Sequence, residues 1–511
     1  AGMLERAMRW ARQNMSVLRA EDPSARFFAF QGFGLVRYFE GRMARSRRLA
    51  LRALSAAIEA GFPYGRLLAL DLRGHALVQT GQILSGLRLL EQAERLALDL
   101  GFIANAQTIQ VSEQIYKARF RVQSVEEASS RLQELASSPI VSFFARRNAF
   151  LELAWQHALY GRAGAAERAL EEAARIALPD QDRRGRVRGM LARAICLLLS
   201  QGRIAALPYL ENARRLADAD PSLLVETSFV EAAIFQEGRA GLLGELDSLA
   251  KTSGIERALL ARRLAAGSPS PASVPGEDRF GELLLHLSSW APEVRVTHLV
   301  NEKLLGLVPW SLGLEPGTRI YLGPRSVLTE HHGEVSTHKP PSGPSLRVLH
   351  ELATGPKTNE ALINAVWNLN RYAPARHDPA LHTAVARLRA SLAPHGDWIV
   401  TTDRGYRLAD GVELATVGAR VLIHTPDEAI EAYDNEAAGT SDRESHILEI
   451  VGRRRVASSS ELAQDLRISD ATALRSLRTL VADGKLKRTG QGKSTRYSLF
   501  PEALTAEGEG S

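Results

Sequence analysis

Glycine recurs at a helical-hairpin spacing through the first half of this 511-residue chain, and that recurrence restricts the fold more than any other feature. Gly41, Gly81, Gly161, Gly202 and Gly238 each close an apolar helical pattern, and each is followed by Arg or Gln: YFEGR, VQTGQ, LYGR, SQGR, QEGR. The gap from Gly81 to Gly161 is 80 residues, and its midpoint is Arg121, so the period is about 40 with one glycine replaced. Eight residues past the anchors stand Leu49, Leu89, Ser129, Ala169, Leu210 and Leu246, and twelve past stand Ala53, Ala93, Gln133, Ala173, Arg214 and Ala250. Glycine ends a helix because it accepts a left-handed backbone. Small residues on the next helix let the pair approach closely. One such hairpin cannot bury its apolar face alone, so hairpins stack.

Over about Trp10 to Ala265 this pattern resembles tetratricopeptide (TPR) repeats, with a period longer than that family's usual length of about 34. The resemblance implies a TPR-like α-solenoid of about six repeats over 3–265, offering a concave surface to a protein, peptide or small ligand. The Pro/Ser/Gly-rich stretch AAGSPSPASVPGED predicts a linker over 266–278 that separates the solenoid from the C-terminal half. Residues 279–317 are left without an assigned fold. With about 150 residues per domain, a chain of this length is expected to hold roughly three.

From Thr318 the pattern changes to short alternating strands, RIYL, SVLT and EVST, then to three helical segments, SLRVLHELA, NEALINAVW and DPALHTAVARLRASL, and ends in DWIVTTDRGYRL. Sheet, three helices and terminal hairpin predict a winged helix over 318–410. Leu381, Val385, Leu388 and Leu392 form the core face of the third helix. Thr383, Ala386, Arg387 and Ala390 point the other way. The wording resembles the OmpR/PhoB-type output domain of bacterial response regulators, most closely in the VW after helix two, the D-x-x-L-x-x-x-V-x-R-L-R-x-x-L helix and the G-Y-R-L wing. That resemblance implies duplex DNA binding. Arg387 is the candidate for a guanine edge, because a guanidinium matches O6 and N7 bidentately. Arg389 suits a phosphate, Arg404 at the hairpin tip suits a minor groove, and Tyr406 packs inward.

Beyond a connector over 411–441, residues 442–500 read as a second, smaller winged helix, followed by a disordered tail over 501–511. Ser459 or Ser460 is expected to cap its second helix and Ser469 its third. Ala473, Leu477 and Leu480 make the core stripe, and Ala471, Arg475, Arg478 and Thr479 face outward. Lys485, Lys487, Arg488, Lys493 and Arg496 decorate a hairpin turned by Gly490-Gln491-Gly492. This stretch is similar to MarR-like winged helices. Asp470 opening the third helix and a half-exposed Leu474 leave open pairing with a second copy. The chain carries 64 Lys and Arg against 58 Asp and Glu, and between Asp442 and Leu499 the count is 12 against 7. Positive charge therefore gathers where a polyanion would bind.

Other signals carry less. GQGKST at Gly490–Thr495 lacks the glycine of a Walker loop, since Lys487 stands there. His331, His332, Glu334 and His338 read as a polar hairpin before they read as metal ligands. Cys196, the one cysteine, sits in the apolar run AICLLL and reads as core. No metal, cofactor or reaction is expected. The start AGMLERAMRWARQ lacks an apolar signal-peptide core, and no run suits a membrane span, so a cytoplasmic protein is expected. The resulting expectation is a mostly α bacterial transcription regulator: a TPR-like solenoid that senses a partner, two winged-helix (α+β) domains that bind double-stranded DNA, and assembly as a homodimer. Two alternatives stand beside it. One is a protein-interaction scaffold whose winged helices contact proteins. The other is the sensor and output half of a larger NTPase-switched regulator.

Overall fold

In a computed structural model of the chain, five helices of seventeen residues follow one another at intervals of twenty: α1 (Pro23–Phe39), α2 (Met43–Glu59), α3 (Pro63–Gln79), α4 (Ile83–Asp99) and α5 (Ile103–Arg119). The structure describes residue 9 and residues 21–176, 182–218, 220–232, 239–266, 277–287, 289–323, 326–341, 343–369, 372–418, 421–423, 447–466, 470–490 and 495–499. Each 40-residue period is thus two helices. The intermediate turns use Gly61 and Gly101, which are followed by Phe rather than Arg or Gln.

The turns at Gly41, Gly61, Gly81, Gly101 and Gly161 are closed by the same two backbone bonds, whereas at Gly202 the following Arg203 N–H donates to the Glu315 carboxylate at 3.3 Å. Gly41 N–H donates to Tyr38 O and Arg42 N–H to Arg37 O; Gly81 donates to Val78 and Gln82 to Leu77; Gly161 donates to Ala158 and Arg162 to His157. This pairing requires a left-handed residue at the turn. Arg121 supplies it at the position where glycine is missing, with φ of 56° and the same bonds to Ala118 and Lys117. Gly238 lies outside the described residues. The helices after α5 are less regular: α6 (Val125–Ser137), α7 (Phe143–Leu159), α8 (Ala163–Arg175), α9 (Arg183–Gln201), α10 (Arg203–Ala217), α11 (Pro221–Val230), α12 (Arg239–Ser253) and α13 (Glu256–Ala266). Small residues mark the close crossings, as the spacing predicts: Ala53, Ala93 and Ala173 are buried, and a Cβ on Gly86 would lie 2.7 Å from Gly74 O. In α6 the register slips by one. Ser124 caps the helix, and Ala128, Leu132 and Ala136 are buried in place of the positions at Ser129 and Gln133.

The described residues divide into two compact units, Ala1–Val348 with Thr358–Ile423, and Leu349–Lys357 with His424–Ser511. Two sequence expectations fail within the first. Residues 267–276 lie outside the described part, but the 266–278 stretch does not separate two bodies. Asp278 accepts from Arg257 Nε at 3.0 Å, Glu277 accepts from Leu84 N–H at 2.6 Å, and one apolar core runs from Val111 through Leu260, Phe280 and Leu299 to Val417. Residues 279–317 fold as α14 (Arg279–Leu287), α15 (Pro292–Asn301) and α16 (Leu307–Ser311) on that same core. The linker composition is real. What overrides it is apolar burial on both sides of it.

The second correction concerns the sheet. Strands β1 (Thr318–Leu322), β2 (Val327–His331) and β3 (Glu334–His338) were expected to belong with the three helices that come after them. Instead they join β6 (Glu413–Val417) and β7 (Val421–Ile423) in a five-stranded sheet of order β3-β2-β1-β6-β7, with β1 parallel to β6. The boundary at 410 and the connector over 411–441 therefore cut through a sheet. The sheet is seated on the helical array: Val335 N–H donates to Gly161 O at 2.8 Å, and Tyr321, Leu328, Ala415 and Val417 enter the common core. Beneath it, the buried Glu330 accepts from Gly317 N–H at 3.0 Å and from Tyr321 Oη, and burial pushes its carboxyl above the usual range.

Between β3 and β6 in sequence lie α17 (Pro344–Ala353), which the division into units cuts after Val348, α18 (Asn359–Trp367), α19 (Pro374–Ser391) and the hairpin β4 (Ile399–Thr402) and β5 (Gly405–Leu408). The second unit holds a helix over 447–454, α20 (Ser459–Asp465), α21 (Asp470–Ala482) and the hairpin β8 (Leu486–Thr489) and β9 (Arg496–Leu499), around Ile447, Val451, Leu462, Leu477, Leu480 and Tyr497. Among the described residues no helix is long and apolar enough to cross a membrane. Cys196 is buried, its Sγ is 3.6 Å from Ala154 O, and burial pushes its thiol up to about 12.

Gly161→Ala is expected to cost more than Gly61→Ala. Both impose left-handed strain of about 1–2 kcal/mol. At Gly61 a Cβ meets nothing within 4 Å, whereas at Gly161 it lies 2.7 Å from Val335 Cβ and 3.1 Å from Val335 N, which adds about 1–3 kcal/mol of overpacking. Chemical denaturation of the two variants measures the difference, and equal costs would contradict the sheet's seat on this turn. A second expectation concerns acid. Arg119 bonds both Glu152 and Glu226, joining α5, α7 and α11. Burial alone raises the Glu226 carboxyl, but Arg119, Arg188 and Arg257 outweigh it and bring it from 4.5 to about 2. A depressed folded value stabilises the fold above the unfolded value, and that contribution fades as pH falls from 4.5 toward 2. The stability difference between the wild-type chain and Glu226→Gln, read from urea curves, should be full at neutral pH and shrink across that window.

Candidate nucleic-acid interface

The periodicity of α19 divides as the sequence requires. Leu381, Val385, Leu388 and Leu392 are buried, while Thr383, Ala386, Arg387 and Ala390 are exposed. Pro374 opens the helix one turn earlier than the sequence suggests, and the helix runs across Pro379, where Thr383 Oγ1 donates to Pro379 O at 2.8 Å. Two bonds fix its neighbours: Ser345 Oγ donates to Ala384 O at 2.9 Å, and Arg347 Nη1 donates to Val366 O at 2.8 Å, the C-terminal end of α18. Helix α18 is itself capped by Thr358, and it stops at Asn368, whose φ of 52° is left-handed. A helix, a turn and a second helix therefore hold the exposed face of α19 on a rigid base.

Arg387 and Arg404 are exposed and make no ion pair among the described residues. Arg404 sits in the two-residue turn between β4 and β5, and its carbonyl accepts from Asn359 N–H at 2.9 Å, tying the hairpin tip to the start of α18. Arg389 is placed differently from the sequence expectation. Its guanidinium donates to Ile399 O at 3.0 and 2.7 Å and to Thr401 Oγ1 at 2.7 Å, and it lies 5.8 Å over the buried Tyr406 ring. These bonds occupy the group that was expected on a phosphate. Arg389 is a clamp between α19 and the hairpin, legible only once strand and helix are adjacent.

In the second unit α21 buries Ala473, Leu477 and Leu480, leaves Leu474 half-buried and exposes Arg478. The cap of α20 is Ser458 rather than Ser459 or Ser460. Ser458 Oγ accepts from Glu461 N–H while Glu461 accepts from Ser458 N–H at 2.7 Å, a reciprocal cap. Ser469 lies outside the described residues, as do Lys493 and the side chains of Ala471, Arg475 and Thr479. Register puts Lys487 and Arg496 on one face of the β8–β9 hairpin, opposite to Leu486, Tyr497 and Leu499. Arg488 pairs across from Tyr497, so its side chain leaves from the core-side face and reaches solvent beyond it. Lys487, Arg488, Arg478 and Arg496 are all exposed.

The histidine-rich stretch is the β2–β3 hairpin, turned by His332 and Gly333 with φ of 48° and 79°. His338 Nε2 meets Thr329 Oγ1 at 2.7 Å, and His331 lies 5.9 Å from His395, which stacks on Trp398. Among the described residues no three His, Cys, Asp or Glu side chains converge on a common point. No family model matches the chain, and no curated protein matches it in sequence.

The two arginines of α19 predict opposite stability effects. Arg389→Ala removes charged-group hydrogen bonds worth about 1.5–3 kcal/mol each and leaves Ile399 O without its donor, so the melting temperature should fall. Arg387→Ala should leave stability within about 0.5 kcal/mol of wild type. Differential scanning calorimetry of both variants checks this, and a large loss on Arg387→Ala would mean that the exposed face is engaged.

Proposed function

We propose that the chain is a transcription regulator that binds duplex DNA through two winged helices, one built on α17 to β5 and the second within the C-terminal unit. A TPR-like solenoid formed by the repeat helices binds an effector. The observation that carries this reading is the exposed face of α19: Thr383, Ala386, Arg387 and Ala390 stand outward on a helix whose other face is core, beside a hairpin tip bearing Arg404. Arg387 has the donor geometry to read a guanine edge in a major groove, and Arg404 the charge to enter a narrow minor groove. Arg478, Lys487 and Arg496 repeat the pattern of basic helix plus basic hairpin. Arg389 contributes by holding helix and wing in register, without touching DNA. Two chains on paired half-sites would supply the area that one winged helix lacks.

Fluorescence anisotropy of the full chain with labelled duplex DNA tests the reading. Affinity should fall with rising salt at a slope of about −0.9 per neutralised phosphate. On a cognate site selected from random duplexes, Arg387→Ala should lose about 1–3 kcal/mol while non-specific binding holds. No binding at low salt, or a flat salt response, refutes DNA binding. Equal weakening of every sequence assigns Arg387 to the backbone and overturns its orientation.

A further inference from the structure

Helices α1, α3, α5, α7, α9, α11 and α13, every second helix of the array, surround a cavity of about 750 Å³. That is ample for an organic molecule. An adjoining groove of about 360 Å³ shares Leu68, Asp71, His75 and Ser112 with it. The walls are aromatic and aliphatic, with Tyr38, Phe39, Tyr116, Phe144 and Trp155 among them. Within this apolar lining lie three guanidinium groups from three helices, each with a buried N–H that has no hydrogen-bond partner: Arg147 Nη1, Arg188 Nε and Arg257 Nη2.

Buried donors are almost always bonded, and arginine cannot shed its charge to escape the cost. The nearby acids are already committed. Glu226 Oε1 accepts from Arg119, and its other oxygen stands 3.6 Å from Arg188 Nε. Asp278 holds Arg257 Nε and caps Gly281. Asp182 caps Gly185 at 3.0 Å and makes no ion pair with Arg147 among the described residues. Arg147 is thus a half-buried cation without a hydrogen-bonded anion: burial lowers its affinity for the proton, and the charge of Asp182 offsets this only in part. Also lining the cavity, on α1 and α3, Gln31 Oε1 and Asp71 Oδ1 are buried acceptors without hydrogen-bond partners, although His75 Nε2 stands 3.4 Å from Asp71.

We infer that this cavity binds a small organic anion, a carboxylate or phosphate carried on an aromatic or similarly apolar body, with the anionic group on Arg147, Arg188 and Arg257. A group bearing N–H or O–H on the far end of the same ligand faces Gln31 and Asp71. Guanidinium pairs carboxylate and phosphate alike through paired N–H···O bonds, so one chemistry covers both sources. As the effector of DNA binding, the anion rests on the function proposed above. Its binding does not, and is measured without DNA.

Isothermal titration calorimetry of the full chain with 2-naphthoate, 2-naphthyl phosphate and the uncharged 2-naphthamide is the test. At least one anion should bind, and the amide at least tenfold more weakly; whichever anion is tighter names the headgroup class. Arg147→Gln should lose at least tenfold in affinity for that anion. The same substitution should leave the melting temperature of the ligand-free chain unchanged or raised, since Arg147 Nη1 bonds nothing. A purely structural arginine would lower it. Failure of both anions to bind at millimolar concentration overturns the inference from the wild-type chain alone, as does equal binding of the amide. Undiminished binding by Arg147→Gln overturns the assignment of the site.

Discussion

Among the described residues of the first unit, eight helix ends close on one pair of backbone bonds, six of them in the repeat array, and most of the unit's architecture depends on that turn. A left-handed residue lets the next N–H reach back to the helix it has just left, so the chain reverses within three residues and starts another helix. Repeated every twenty residues, the reversal puts alternate helices on the same side, and seven of them line one cavity. The turn is a backbone requirement, not a glycine requirement. Arg121 meets it at φ 56°, and its guanidinium bonds Glu302 on the far side of the 266–278 stretch.

The same turns determine where the later chain docks. Gly161 O accepts from Val335 of the sheet, and Gly306 N–H donates to Leu159 O close by. Side chains at those positions would collide with the docked backbone. The core therefore extends from the helices into a sheet whose strands β1 and β6 are almost a hundred residues apart in sequence, with α17 to β5 between them in the chain. The exposed face of α19 belongs to residues inserted between two strands of one sheet, and Arg389 ties that helix to the β4–β5 hairpin.

Charge inside the array is handled in two ways. Arg119 is buried with Glu152 and Glu226 and is raised by them, which offsets its desolvation. Arg147, Arg188 and Arg257 each keep an unbonded N–H facing a cavity. The first arrangement joins helices. The second holds donors ready for a group the chain itself does not supply, at a cost in stability to the array.

Much of the helical architecture was legible from local pattern. The 40-residue period, the replaced glycine at Arg121, the core stripes Leu381–Val385–Leu388 and Ala473–Leu477–Leu480, and the exposed faces of Arg387 and Arg478 come from the left-handed turn and the 3.6-residue helix, both of which depend on residues within a few positions of one another. What escaped the sequence depends on residues far apart. A Pro/Ser-rich stretch reads as a separator until Phe280 and Leu299 are found in the core that Leu260 shares. Arg389 reads as free until Ile399 lies against it, and Arg147 reads as one basic residue among many until its Nη1 is seen buried beside a cavity without a hydrogen-bond partner. Turn geometry and helical periodicity are written in neighbouring residues, whereas the partner of a strand edge or a buried charge is chosen by packing, and only the tertiary structure decides it.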